Sequence, residues 1–169
     1  MNDGVHERLG TVKAVLHELM TPGTGLDLVL TEYHRIQDDP ERLGLCHDIA
    51  TAIIADLCER GRAQGWTWCQ ALVDGGVDHS WVEFQGLRVD MGDNHKLRVS
   101  SAENPVFTVE SRVVRRDPDE TLSWIRQQDQ RRTAEAAYFR WLSRGCGHGA
   151  DLEDWFAAEV DLGLRPPAG

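Results

Sequence analysis

No run of about 20 apolar residues occurs in the chain, so no membrane-spanning helix is expected. The first ten residues lack the apolar stretch of a secretory signal; they include Asp3, Glu7 and Arg8. Paired cysteines are missing too. The four cysteines, Cys46, Cys58, Cys69 and Cys146, are irregularly spaced and form no Cys-x-x-Cys. That argues against a disulfide framework and for reduced thiols in a cytoplasmic protein, with export by a specialised route still compatible. Positive charge is in short supply: 18 Lys and Arg stand against 28 Asp and Glu, a net charge of −10. A nucleic-acid binder would carry a basic face. The local clusters Arg112, Arg115, Arg116 and Arg131, Arg132 are interleaved with acids and read as a solvated face. An acidic surface also disfavours anionic membranes.

What is present suits one compact domain with a small appendage. The chain has 169 residues, 41% of them apolar, and six are Trp, which bury large areas. Apolar residues at Val12, Val15, Leu16 and Leu19 predict a helix over 5–20, stopped by Thr21-Pro22-Gly23. A second helix is predicted over 26–36. A third runs from Cys46 to Gly61 with Ile49, Ala50, Ile53, Ile54 and Leu57 as its buried stripe. The apolar, aromatic run Trp66 to Val73 reads as a central strand, with Trp66 and Trp68 in the core. Short strands follow at His79 to Phe84 and Leu87 to Met91, and a fourth is placed around Val106 to Val114. Beyond that, helices are predicted over 117–130, 133–142 and 151–162. The last two form a pair around the Gly-rich stretch Gly145 to Gly149.

The hairpin carries the chemistry. With Gln85-Gly86 as a two-residue loop, Phe84 pairs with Leu87, Glu83 with Arg88 and Val82 with Val89. Alternation then puts His79, Trp81, Glu83, Arg88 and Asp90 on one face. His79 and Asp90 become diagonal neighbours, roughly 7–8 Å apart at Cβ and within bonding reach. An aspartate there can accept the imidazole N–H, fix its tautomer and stabilise its protonated form. Glu83 and Arg88 read as a cross-strand ion pair at the hairpin tip. Cys46 opens a helix, where the helix dipole favours a thiolate, and an adjacent imidazole would make it a nucleophile. First-turn N–H groups could hold an oxyanion. Asp48, two residues on, opposes strong activation of the thiol.

Weaker signals are read as structural. Cys46-His47 and Cys146-x-His148 are isolated pairs without the four closely spaced ligands of structural zinc, so no metal and no cofactor is expected. His47 is expected to point away from the core. His95, just past the Asp90 strand, is a candidate to line the cleft, and Trp81 a candidate to shape it.

The run His79-Ser80-Trp81-Val82-Glu83-Phe84, with Gly86 and Val89-Asp90, resembles the H-x-W-V-E…G…V-D signature of transglutaminase-like proteins. Gly44-Leu45-Cys46 before an apolar helix resembles their nucleophile helix. Leu87 to Gly92 is similar to the aspartate strand of arylamine N-acetyltransferases, which share that core. The likeness covers about 50 of the 169 residues. It implies an α+β fold with a papain-like/transglutaminase-like core: a nucleophile helix packed on a small antiparallel sheet, with extra N- and C-terminal helices. It implies a catalytic domain over 1–116 and a helical extension over 117–169. Cys46 would be the nucleophile, His79 the general base and acid, and Asp90 the orienting residue. The chemistry would be acyl transfer through a thioester, on a protein, peptide or small amide. A peptidase or amide hydrolase is expected first, then an acyltransferase, transglutaminase or deamidase, and, in another class, a non-catalytic protein-binding module. Papain-like enzymes place a Gln shortly before the cysteine as an oxyanion donor; here the candidates are Gln37 and Tyr33. Residues 137–163 also resemble a small bacterial helical module of unknown function. There Tyr138, Trp141, Trp155 and Phe156 would make an apolar docking face. Oligomeric state is not legible.

Overall fold

The computed structural model describes residues 3–36, 45–73, 76–92, 96–103 and 111–166. The chain divides into two compact units, residues 1–122 and 123–169. The architecture is α+β. Helices α1 (Asp3–Leu19), α2 (Gly25–Ile36) and α3 (Leu45–Glu59) precede strands β1 (Trp66–Val73), β2 (Val77–Phe84), β3 (Leu87–Met91), β4 (Leu97–Ser101) and β5 (Ser111–Arg116). Helices α4 (Pro118–Ser143) and α5 (Asp151–Asp161) follow.

The helices bury the stripes that their spacing predicts. Val12, Val15, Leu16 and Leu19 of α1 are at most 4% exposed. Ile49, Ala50, Ile53, Ile54 and Leu57 of α3 are at most 3% exposed. Thr24 caps α2 by accepting the Asp27 N–H at 3.2 Å, while Asp27 accepts the Gly23 N–H at 2.9 Å. A second cap comes from a different helix. Asp56 of α3, buried, accepts the N–H groups of Gly25 and Leu26 at 3.2 and 2.9 Å. This ties the start of α2 to α3. It also explains Gly25: a Cβ there would lie 2.7 Å from Asp56 Oδ1.

The five strands form one antiparallel sheet in the order β4-β3-β2-β1-β5. The β2–β3 register pairs Val82 with Val89, Glu83 with Arg88 and Phe84 with Leu87, as the two-residue loop requires. Gln85 and Gly86 both have positive φ, 48° and 80°, the signature of a type I′ turn, whose twist suits a hairpin. Trp68, Trp81, Val82 and Val89 are at most 1% exposed and centre the sheet's core.

Two elements depart from expectation. Helices expected over 117–130 and 133–142 are one helix, α4. Its polar middle, Arg131-Arg132, interrupts the apolar pattern but holds no Gly or Pro to break the backbone, and Thr133 just beyond is 1% exposed. Strand β4 was not expected. It is an edge strand with only Leu97 and Val99 apolar, too weak a pattern to read. The strand placed around 106–114 is β5, beginning at Ser111; residues 104–110 lie outside the described residues. Asp117 and Glu120 form a reciprocal capping box for α4, with Pro118 at its first position. Among the described residues no helix is long and apolar enough to cross a membrane.

Within the second unit, Arg144 forms a two-pronged ion pair with Asp154, which is 6% exposed. Tyr138, Trp141 and Trp155 line one open cavity of about 390 Å³ with His148 and Asp151. Phe156, expected on the same face, instead lies beneath the Arg165 guanidinium.

Candidate active site

Antiparallel pairing brings the sequence-predicted residues together. Cys46 and His47 are consecutive in the first turn of α3, and they meet consecutive residues of β2. Cys46 is hydrogen-bonded to His79. His47 Nδ1 lies 2.6 Å from Ser80 Oγ. Across the hairpin, His79 Nε2–H donates to Asp90 Oδ1 at 2.8 Å. With Nε2 committed to Asp90, Nδ1 is left for the thiol. Cys46 is half-buried, His79 is 8% exposed and Asp90 3% exposed, so the line runs from a partly open thiol into the sheet.

The environment holds the imidazole protonated. Burial alone would push His79 down. Its bonds to Asp90 and Cys46, and the charges of both, outweigh burial and raise its pKa from 6.5 to about 9.

Asp90 is fixed from every side. Oδ1 also accepts the Met91 N–H at 2.7 Å. Oδ2 accepts two bonds from Arg88, Nε at 3.0 Å and Nη2 at 2.8 Å. Arg88 is 1% exposed, and its guanidinium carbon lies 3.8 Å from the centroid of Trp81. The expected tip pair of Glu83 and Arg88 is therefore not what defines either residue. Glu83 accepts the Trp81 indole N–H at 2.9 Å and faces Arg115 at 3.6 Å. Arg88 turns back along β3 to Asp90, because residues two apart on a strand share a face. That alternation was the available signal, and its use for Arg88 was missed.

The remaining candidates sort by position. Tyr33 of α2 is half-buried; burial raises its pKa first, and the Cys46 charge raises it further. Trp81 is 1% exposed, which makes it a wall behind His79 and Arg88 rather than a surface for a ligand. Gln37 and His95 lie outside the described residues. His47 does not point away from the core. It is half-buried, stacks on Trp68 at 6.1 Å and holds Ser80. Burial lowers its pKa first, the charge of His79 lowers it further, and Asp78 and Asp48 partly oppose this. The two imidazoles of the site are thus pushed in opposite directions, His79 up and His47 down.

The other thiols are differently placed. Cys69 is fully buried, and burial with the nearby Glu83 pushes its pKa up to about 12. Burial, then Asp119, raises that of Cys58. Cys146 is exposed. Among the described residues no group of three or more His, Cys, Asp and Glu is placed to hold a metal ion.

A family profile described as a protein of unknown function (DUF2934) matches residues 128–162, a stretch within α4 and α5 that holds none of Cys46, His79, Asp90 and Arg88. No curated protein and no solved structure matches the chain.

Proposed function

We propose that the chain is a cysteine-dependent acyl-transfer enzyme built on a papain-like/transglutaminase-like core, most simply a small peptidase or amide hydrolase. One observation carries this reading: His79 bonds Asp90 through Nε2 at 2.8 Å and also bonds Cys46, at the start of a helix. A thiolate at a helix N-terminus, an imidazolium beside it and a carboxylate behind that are the parts of an activated sulfur nucleophile.

The reaction follows from these parts. The Cys46 thiolate attacks the substrate carbonyl, forming a carbon–sulfur bond while the carbonyl electrons move to oxygen. First-turn N–H groups of α3, with the Tyr33 hydroxyl as a further donor, stabilise that oxyanion. The tetrahedral intermediate collapses, the bond to the leaving group breaks, and the imidazolium of His79 gives that group its proton. Neutral His79 then takes a proton from water, or from an amine, as it attacks the thioester. The acid or amide product leaves, and Cys46 returns with the proton back on His79. Asp90 holds the ring throughout.

The test is acylation by an activated aryl ester, read by intact and peptide mass spectrometry. Wild type should carry the acyl group on Cys46, and Cys46→Ala and His79→Ala should not. Faster loss of the adduct with added primary amine, with a matching amide product, identifies transfer; loss at an unchanged rate identifies hydrolysis. If Cys46 acylates no faster than Cys58 or Cys146, the proposal fails and the fold is a scaffold for binding.

A further inference from the structure

We propose that Arg88 is a positioning residue of this site: it locks the Asp90 carboxylate so that one oxygen is kept for His79. Through His79 it fixes which ring nitrogen meets the Cys46 thiol. The inference rests on the acyl-transfer reading of Cys46, His79 and Asp90.

Four observations converge on Arg88. First, it is 1% exposed, and an arginine that far from water needs compensation at its donors. Second, two of those donors converge on one atom: Nε and Nη2 both donate to Asp90 Oδ2. Third, the other carboxylate oxygen is occupied by the Met91 N–H and by His79. A carboxylate has room for about four such bonds, and Asp90 has four, two on each oxygen. It cannot rotate without losing several at once. Fourth, Trp81 is in contact with both ends of the line: it carries the Arg88 guanidinium on its ring and stacks beside His79, centroids 6.0 Å apart. Arginine and imidazole are thus spaced by one rigid buried indole.

Charge and orientation pull His79 in opposite directions. The positive charge of Arg88 disfavours a second positive charge on His79, while an Asp90 held in place favours it. The groups facing His79 are Asp90 on β3, Cys46 and His47 on α3, and Arg88 behind Asp90. Lysine at position 88 separates the two effects. It keeps the charge but is a single-point donor that cannot give the planar, parallel pair of bonds. A residue that acts by charge alone would be replaced by lysine without loss; a residue that positions would not.

The experiment uses the full chain. Iodoacetamide alkylation of Cys46 is followed by peptide mass spectrometry from pH 5.5 to 9.5 in wild type, Arg88→Lys, Arg88→Met, Asp90→Asn and the Arg88→Met/Asp90→Asn double variant. His79 is titrated by NMR in the same set. Arg88→Lys and Asp90→Asn should each slow Cys46 at pH 7 on the order of ten- to hundred-fold, the scale of a misplaced reacting group. His79 should titrate at a lower pH in both. The double variant should react no more slowly than Asp90→Asn, because the relay is already cut at Asp90. Arg88→Met leaves a buried carboxylate without its cation and is open to misfolding. The double variant removes both charges, and Arg88→Lys keeps both, so near-native circular dichroism in those two preserves the test. A wild-type rate in Arg88→Lys overturns the proposal. So does a slowing by Arg88→Met that is as large on the Asp90→Asn background as on wild type. If instead wild-type Cys46 is no more reactive than Cys146, the acyl-transfer reading fails. The His79 titration then still decides Arg88: an unchanged value in Arg88→Lys overturns it.

Discussion

The raised pKa of His79 makes stability depend on pH, and the sign is fixed by which state holds the proton. Below pH 6.5 the imidazole is protonated in both folded and unfolded chains, so the favourable bonds to Asp90 and Cys46 count in full. Between 6.5 and about 9 the folded protein keeps the proton and the unfolded chain releases it. The folded state therefore binds more protons, and stability falls as pH rises through this window. The rise from 6.5 to about 9 corresponds to about 3 kcal/mol at 1.36 kcal/mol per pH unit. The side chain is 10% exposed, so screening by water removes little of it.

The perturbation is His79→Gln, which keeps a hydrogen-bonding side chain and abolishes the titration. Urea unfolding of both proteins at intervals from pH 5.5 to 9.5 gives their stability difference at each pH. Wild type should lose about 3 kcal/mol relative to the variant between pH 6 and pH 9.5, a change of roughly 6–12 °C in relative melting temperature for a chain of this length. Asp90 supplies the leading favourable bond and Cys46 the next, so a Cys46→Ala background should show a shallower slope of the same sign. A stability difference that is flat across this window refutes the reasoning, because it means the folded protein does not hold the proton on His79.

Other outcomes follow from particular contacts. Gly25→Ala places a methyl 2.7 Å from Asp56 Oδ1 and should destabilise by about 1–3 kcal/mol through loss of the cap, read by urea unfolding. Gly86→Ala forces a side chain into φ 80° at the hairpin turn and should cost about 1–2 kcal/mol; Gly86→Asn should cost less. Cys69, with its thiol pushed up to about 12, should resist iodoacetamide at pH 8 in the folded protein and react once urea unfolds it.

The hairpin was legible because two simple rules fix it. A two-residue loop sets the register, and strand alternation sets the faces; together they place His79 beside Asp90 with no tertiary knowledge. The stripe of α3 was legible because Ile49, Ala50, Ile53, Ile54 and Leu57 recur at helical spacing; Asp56, also buried between them, is no part of that pattern. What escaped was decided by partners distant in sequence. His47 looks like a solvent-facing residue of a helix start until Trp68 and Ser80 are beside it. Arg88 looks like the partner of Glu83, its opposite on the neighbouring strand, until Trp81 is seen to lie under it and Asp90 to accept its bonds. Strand β4 has no pattern of its own and exists by pairing with β3.

The effect of the Cys46 charge on Tyr33 fits the packing of α2 on α3. Asp56 clamps the first N–H groups of α2, so Gly25 lies beside Asp56. Along α2, Tyr33 is eight positions beyond Gly25, about 12 Å at 1.5 Å per residue. Along α3, Cys46 is ten positions before Asp56, about 15 Å. Two helices joined at one such point bring Tyr33 towards Cys46 only if they run antiparallel, and the upward push of the Cys46 charge on the Tyr33 phenol fits that arrangement. The same buried carboxylate that caps α2 thereby fixes where the start of α2 meets α3.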